Sequence, residues 1–306
     1  MHSLQSFVRS LGGLAQTREL VAFGMSSHDL TDAVRRGLLF RARQGWYALP
    51  DARDDYMRAV RVGGRLAGVS AAASYGLATP QDFPLHVHVP RRASRLRSQH
   101  SRAVRLGASP GETTVIHRGT VEAATRDTRF RVSLRDCLVQ VIIGEHEDDA
   151  VACLDSALRH GLIDAIELEL IRRRLPGRLR YIADVADGRS DSYPESVARR
   201  RLAREGIHAE PQVCVLGERW IDLLIGNCLA IEVDGAGKYT EDMTPEEIAR
   251  RMNADRQRGA FLEALGYHVI RLSYFMVVFD WPATLDMILA IMERGDHLAR
   301  PVFIHK

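Results

Sequence analysis

Lysine is nearly missing from this sequence. Of 42 Lys and Arg residues only Lys238 and Lys306 are lysine, and the rest are arginine. Cysteine is scarce as well: Cys137, Cys153, Cys214 and Cys228 lie in apolar stretches with no CxxC spacing. That speaks against a disulfide scaffold and against a spaced zinc site, and it reads as buried, reduced thiols of a cytoplasmic protein. Long apolar runs are absent too, since "LLIGNCLAIEV" and "VIRLSYFMVVFDW" are too short or carry charge for a membrane span. The opening "MHSLQSFVRSLGG" lacks the sustained apolar core of a signal peptide. A strong charge of one sign is missing, the net value being +3. That permits a nucleic-acid partner without demanding one. What remains, 306 residues of which 46% are hydrophobic, is enough for two or three domains with at least one buried core.

Residues 1–50 are strongly patterned. "TREL" and "SSHDLTDAVRRG" read as helices, the second capped by Ser26 or Ser27, with Leu30, Val34 and Leu38 at helical spacing. "LLFRARQGWYALP" then alternates: Leu38, Phe40 and Ala42 on one face, Leu39, Arg41 and Arg43 on the other, with Gly45 at the turn. Helix, turn, helix and a two-stranded wing describe a winged helix-turn-helix. Such a module lays its second helix in the major groove, which makes Ser27, Arg35 and Arg36 candidate DNA contacts and Arg41 and Arg43 candidate phosphate contacts. Asp29 and Asp32 share that helix, so protein contact or plain packing is the competing reading.

Residues 51–185 read as a mixed α/β middle domain. "RLAGVSAAASYGL" starts a helix and "PLHVHVP" is a strand. Between 91 and 107, Arg91, Arg92, Arg95, Arg97, Arg102 and Arg105 follow no apolar period. The stretch is a loop, either solvated and flexible or a phosphate-tracking strip. "SLRDCLVQVIIGE", "EDDAVACLDSALRHGLI" and "AIELELIRRRL" are scaffold helices, and His86, His88, His117 and His160 lack ligand spacing. "PGRLRYIADVADGRSDSYP" has the composition of a linker.

Residues 186–306 follow the order helix, three strands, long helix, strand, helix. Ser192 caps the first helix with Pro194 in its first turn, and Glu195 falls on the apolar stripe with Ala198 and Leu202. In "RWIDLLI", Asp222 shares a face with Trp220 and Leu224. In "CLAIEVD", Glu232 and Asp234 share a face with Cys228 and Ala230. Two residues along a strand span about 6.6 Å and neighbouring strands lie about 4.8 Å apart, so Asp222 and Glu232 can become cross-strand neighbours. Carboxylates gathered on an apolar sheet require a compensating cation, and Mg²⁺ or Mn²⁺ suits oxygen ligands. The competing arrangement places them at exposed strand ends or on arginines such as Arg271. Asp255 lies in the apolar stripe of the long helix and either pairs with Arg271 or reaches the same centre.

Ser192 with Glu195, Asp222, "EVDGAGK", "DRQRGAFLEALG" and "VIRL" together resemble the core of the PD-(D/E)XK nuclease superfamily, in its very-short-patch-repair-like branch. The resemblance implies a C-terminal restriction-endonuclease-like mixed sheet flanked by helices. It implies metal held by Asp222, Glu232 and the Val233 carbonyl, with Asp234 orienting the attacking water or completing the metal site and Glu195 among the catalytic residues. The position two after Glu232 that usually bears Lys is Asp234 here, and Lys238 stands where the branch carries His. Lys238 then either stabilises charge at a scissile phosphate, or its presence marks a fold that no longer cuts. More weakly, "QGWYALP" and "GVSAAASYGL" resemble AbiEi-type antitoxin proteins. The expectation is an α/β (α+β) protein acting as a metal-dependent DNA endonuclease in phage defence or restriction. The alternative is a catalytically silent regulator with DNA and a toxin or other defence protein as partners, and a protein-interaction module is the third reading.

Overall fold

The computed structural model describes residues 3–108, 110–217, 219–234 and 244–301, without the side chains of 245, 248, 249, 251–256 and 258. It is a mixed α/β protein whose contacts group into two units. The first comprises Met1–Gly76 with Gln81–Gly144, the second Leu77–Pro80 with Glu145–Lys306. The proposed boundaries near 50 and 185 fall inside the first and the second unit respectively.

In the first unit, helix α1 (Leu4–Ser10) leads into strand β1 (Leu14–Gln16) and helix α2 (Thr17–Ala22). Helix α3 (Ser27–Arg35) begins with a reciprocal cap: Ser26 Oγ accepts the Asp29 N–H and Asp29 accepts that of Ser26. Two otherwise orphaned amides are satisfied in this way. Strands β2 (Phe40–Arg43) and β3 (Trp46–Ala48) form the wing around Gly45, whose φ of +81° suits glycine. The sheet order is β1-β3-β2, over a core of Val8, Leu20, Leu30, Ala33, Leu39 and Tyr47. The alternation expected along β2 fails at one point. Arg41 pairs with Tyr47 and Arg43 with Trp46, so Ala42 is an extra residue in a bulge. Ala42 is buried and Phe40 is exposed, where a regular strand would have put them on one face.

The same unit continues with α4 (Asp54–Val62), β4 (Arg65–Leu66), α5 (Gly68–Ser74), β5 (Leu85–His88), β6 (Thr114–His117) and α6 (Leu134–Gly144). The strand β5 pairs antiparallel with β4 and parallel with β6. Gly64 lies against the His88 carbonyl so closely that an added Cβ would collide with backbone. The rings of His86 and His117 meet with 3.1 Å between Nδ1 and Nε2.

The second unit holds α7 (Glu147–Arg159), α8 (Ala165–Arg174), α9 (Arg180–Asp184) and α10 (Tyr193–Arg204). The stretch expected as a linker carries α9 and is tied down, the Asp187 amide donating to Asp155 at 2.6 Å. Strands β7 (Ala209–Val215), β8 (Arg219–Ile225) and β9 (Leu229–Asp234) form an antiparallel meander. Helix α11 (Pro245–Ala264) then crosses over to β10 (His268–Ser273), which pairs parallel with β9. Parallel strands need such a long connection. Helices α12 (Tyr274–Val278) and α13 (Trp281–Glu293) follow. One sheet face packs Leu223, Ile225, Leu229, Ile231 and Val233 against Val197 and Leu202 of α10 and Ile288 of α13. The opposite face packs Leu224 and Ala230 against Leu262 and Leu265 of α11. Between α7 and α10, buried Asp148 accepts from Arg201 Nε at 2.7 Å and Arg204 Nη2 at 2.5 Å. Among the described residues no helix is long and apolar enough to cross a membrane.

Candidate functional site

The start of α10 places Glu195. Ser192 caps the helix by accepting the Glu195 N–H, and Pro194 occupies the first turn, where its missing amide costs nothing. The Glu195 side chain, 5% exposed, turns back onto its own cap. Its Oε1 accepts from Ser192 Oγ at 2.7 Å, and its Oε2 accepts from the Asp191 amide at 2.9 Å and from Gln212 Nε2 at 2.8 Å.

Gln212 interrupts β7. Pro211 pairs with Leu223 and Val213 with Ile221, and between those pairs Gln212 takes a φ of +52°, a conformation uncommon for residues other than glycine. Asp222 stands opposite it. There β8 also loses its alternation, because Ile221 and Leu224 pack into one apolar cluster. The expectation that Asp222 shares a face with both Trp220 and Leu224 is corrected accordingly: Leu224 is buried while Trp220 is 52% exposed. Asp222 Oδ2 reaches across to β9 and accepts the Val233 N–H at 2.8 Å. A strand residue directs its N–H and C=O to the same neighbour, so the Val233 carbonyl faces this gap as well.

Burial, and next the negative charge of Asp222, push the Glu195 carboxyl up to about 7. The three donors on Glu195 oppose that rise without cancelling it. Glu195 and Asp222 are therefore brought together as an interacting acid pair. Beside them opens a cavity of about 710 Å³ lined by Arg159, Arg189, Asp191, Gln212, Trp220 and Asp222, together with Arg219. Arg159 pairs with Asp191 at 2.6 Å and Arg189 with Asp187 at 2.7 Å.

The other expected acids are placed differently. Glu232, 2% exposed, is the register partner of Arg271 on parallel β10. Ile231 and Val233 on either side of it pack toward α10, which directs Glu232 toward α11. Arg271 reaches that helix too, its guanidinium lying over Gly259. Asp234 ends β9, half-buried, as the register partner of Ser273. Lys238 and the side chain of Asp255 lie outside the described residues. Among the described residues, no group of three or more His, Cys, Asp or Glu can hold a metal ion. Of the expected metal ligands, Asp222 and the Val233 carbonyl face one gap, while Glu232 is directed toward α11.

On the winged helix, Ser27 is the first residue of α3, while its neighbour Ser26 serves as the cap. Ser27, Arg35, Arg36 and Arg41 are exposed. Arg36 has Asp32 3.6 Å away, and Arg41 donates to Tyr47 Oη at 3.0 Å. Arg43 is not turned outward as expected. Its Nη1 donates to the Arg61 and Val62 carbonyls at 2.8 and 2.6 Å, and its Nη2 to the Arg95 carbonyl at 2.6 Å. The bulge at Ala42 turns this side chain inward, where it ties the wing to the end of α4. Sequence reasoning passed over Gln212, Arg159 and Arg189, because a left-handed φ in a strand and arginines converging from separate elements leave no local signal.

Helix, turn, helix and a two-stranded wing place the N-terminal fifty residues in the winged-helix class. Residues 2–50 match the family described as the transcriptional regulator AbiEi antitoxin. The match ends with the wing, and no curated protein matches the chain.

Proposed function

We propose that the chain is a DNA-binding transcriptional regulator of the AbiEi antitoxin kind, working in the cytoplasm with a toxin as its protein partner. The observation that carries this reading is the coincidence of the family match with a complete winged helix whose α3 leaves Ser27, Arg35 and Arg36 open to solvent. Helix α3 enters the major groove, and Arg41 supports the wing on the backbone. The test is binding to duplex DNA from upstream of the chain's own gene, as a function of salt. Arg35→Ala and Arg36→Ala weaken it, and no binding at about 50 mM salt rejects the reading. Co-purification with the product of the adjacent gene tests the toxin partner.

A second reading, phosphodiester hydrolysis by residues 186–306, is favoured by the order α10, β7–β9, α11, β10 and by the Glu195–Asp222 pair beside an arginine-lined cavity. Here residues 1–50 and 51–185 position DNA for the last segment. Asp222, Glu232, Asp234 and Lys238 act at the phosphate, Glu195 holds a proton beside it, and Mg²⁺ or Mn²⁺ is the cofactor. Plasmid nicking with either metal, abolished by Asp222→Ala and by Glu232→Ala, supports this reading. A wild-type chain that leaves the plasmid intact returns the molecule to the regulator.

A further inference from the structure

Beside the wing lies a depression of about 340 Å³ lined by Arg43, Gln44, Arg95, Arg97 and Arg102, with no carboxylate in its wall. Arg95 and Arg102 are exposed and Arg97 is half-buried. Among the described residues none of the three pairs with a carboxylate, whereas Arg9, Arg53 and Arg129 in the same unit each do. Like charges held together without counter-charge repel, and an anion relieves that repulsion.

The loop that presents them is held in place. The Arg97 amide donates to Val62 O at 3.2 Å, and Arg97 bridges Arg105. Gln99 is gripped by the Arg58 guanidinium, and its carbonyl accepts from Arg61 Nη1 at 2.7 Å. Arg43 completes the frame, its guanidinium joining the wing to the Arg95 carbonyl. The three free guanidinia thus stand beside Gln44, next to the wing turn, on a fixed backbone. Guanidinium groups match phosphate oxygens in geometry, and duplex DNA presents a continuous row of phosphates.

We propose that Arg95, Arg97 and Arg102 form a phosphate seat that extends the wing's hold on the DNA backbone beyond the family-matched segment. The inference rests on the DNA-binding reading and adds a second, sequence-independent contact to it. The probe is a mixed-sequence duplex of about 30 base pairs, titrated with the full chain across about 50–200 mM salt. Replacing all three with alanine lowers the slope of log K against log salt by about 1–2 and the low-salt affinity at least about tenfold, for any sequence. The corresponding triple lysine variant keeps most of both, because the charge remains. Among the described residues the three side chains donate no hydrogen bond into the fold, so the alanine variant melts like the wild type. If it melts lower, the lysine variant decides: binding retained there upholds the seat, and binding lost there overturns it. An unchanged slope in the alanine variant, with Arg36→Ala still weakening binding, overturns the seat and leaves the regulator reading standing. A wild-type chain that binds no duplex removes both.

Discussion

Asp222 accepts the Val233 amide at 2.8 Å and, from the same position, adds its charge to the burial that keeps Glu195 protonated to about pH 7. A single aspartate thus joins β8 to β9 and adds to the effect of burial on the protonation of a residue on α10. The joint lies where both β7 and β8 lose their regular alternation.

The raised Glu195 value makes stability depend on pH. The folded state holds the proton more tightly than the unfolded chain, so the contribution is complete below pH 4.5, declines as pH rises toward 7, and is flat above. Over that interval the loss is about 3 kcal/mol. Urea unfolding between pH 4.5 and 8 measures it. Glu195→Gln flattens the profile in that window, and Asp222→Asn moves the midpoint down without restoring the ordinary value, since burial remains. Equal slopes in wild type and Glu195→Gln reject the shift.

Asp148→Ala removes the one carboxylate that Arg201 and Arg204 share between α7 and α10. Two guanidinia then lose their shared carboxylate in a partly buried interface, a loss of about 3 kcal/mol. Asp148→Asn, which keeps a hydrogen-bond acceptor, loses less. Chemical denaturation of the two variants gives the ranking.

Arg43 and Arg36 separate scaffold from contact. Arg43→Ala removes a side-chain donor from the Arg61, Val62 and Arg95 carbonyls, of which Val62 keeps the Arg97 amide, and lowers stability by about 1–3 kcal/mol. Arg36→Ala leaves the melting temperature unchanged and weakens duplex binding. Thermal melts alongside anisotropy titrations check both halves of this statement.

At Gly64 a methyl group would collide with the His88 carbonyl, which is backbone and cannot swing aside. Gly64→Ala is expected to cost more than about 2 kcal/mol, against a gain of under about 1 kcal/mol from the stiffer unfolded chain. A denaturation midpoint equal to the wild type's contradicts the packing described.

The parts legible beforehand are those written locally. Ser26 with Asp29 and Ser192 with Pro194 and Glu195 are caps whose partners lie within three residues, and both helices start where those residues say. The order of strands and helices after residue 186 was likewise visible in runs of apolar residues. The placement of Arg43 was not, because one extra residue at Ala42 redirects it. Nor was the coupling of Glu195 to Asp222, which lies at the break in regular pairing where Gln212 takes its left-handed φ. The register that sets Glu232 beside Arg271 was not legible either, because it depends on the parallel addition of β10 after a long crossover.

That parallel addition orders events during synthesis. Strands β7, β8 and β9 close on one another through short turns, so little chain entropy opposes their assembly. The last strand must wait for the whole of α11 to emerge and fold back. Glu195, Asp222 and Val233 are all made before that point, and the acid pair belongs to the portion of the sheet that needs no contribution from β10. A nascent chain halted just after residue 234 already contains the strands that bring Asp222 to Val233, ahead of the arginine beside which Glu232 later comes to rest.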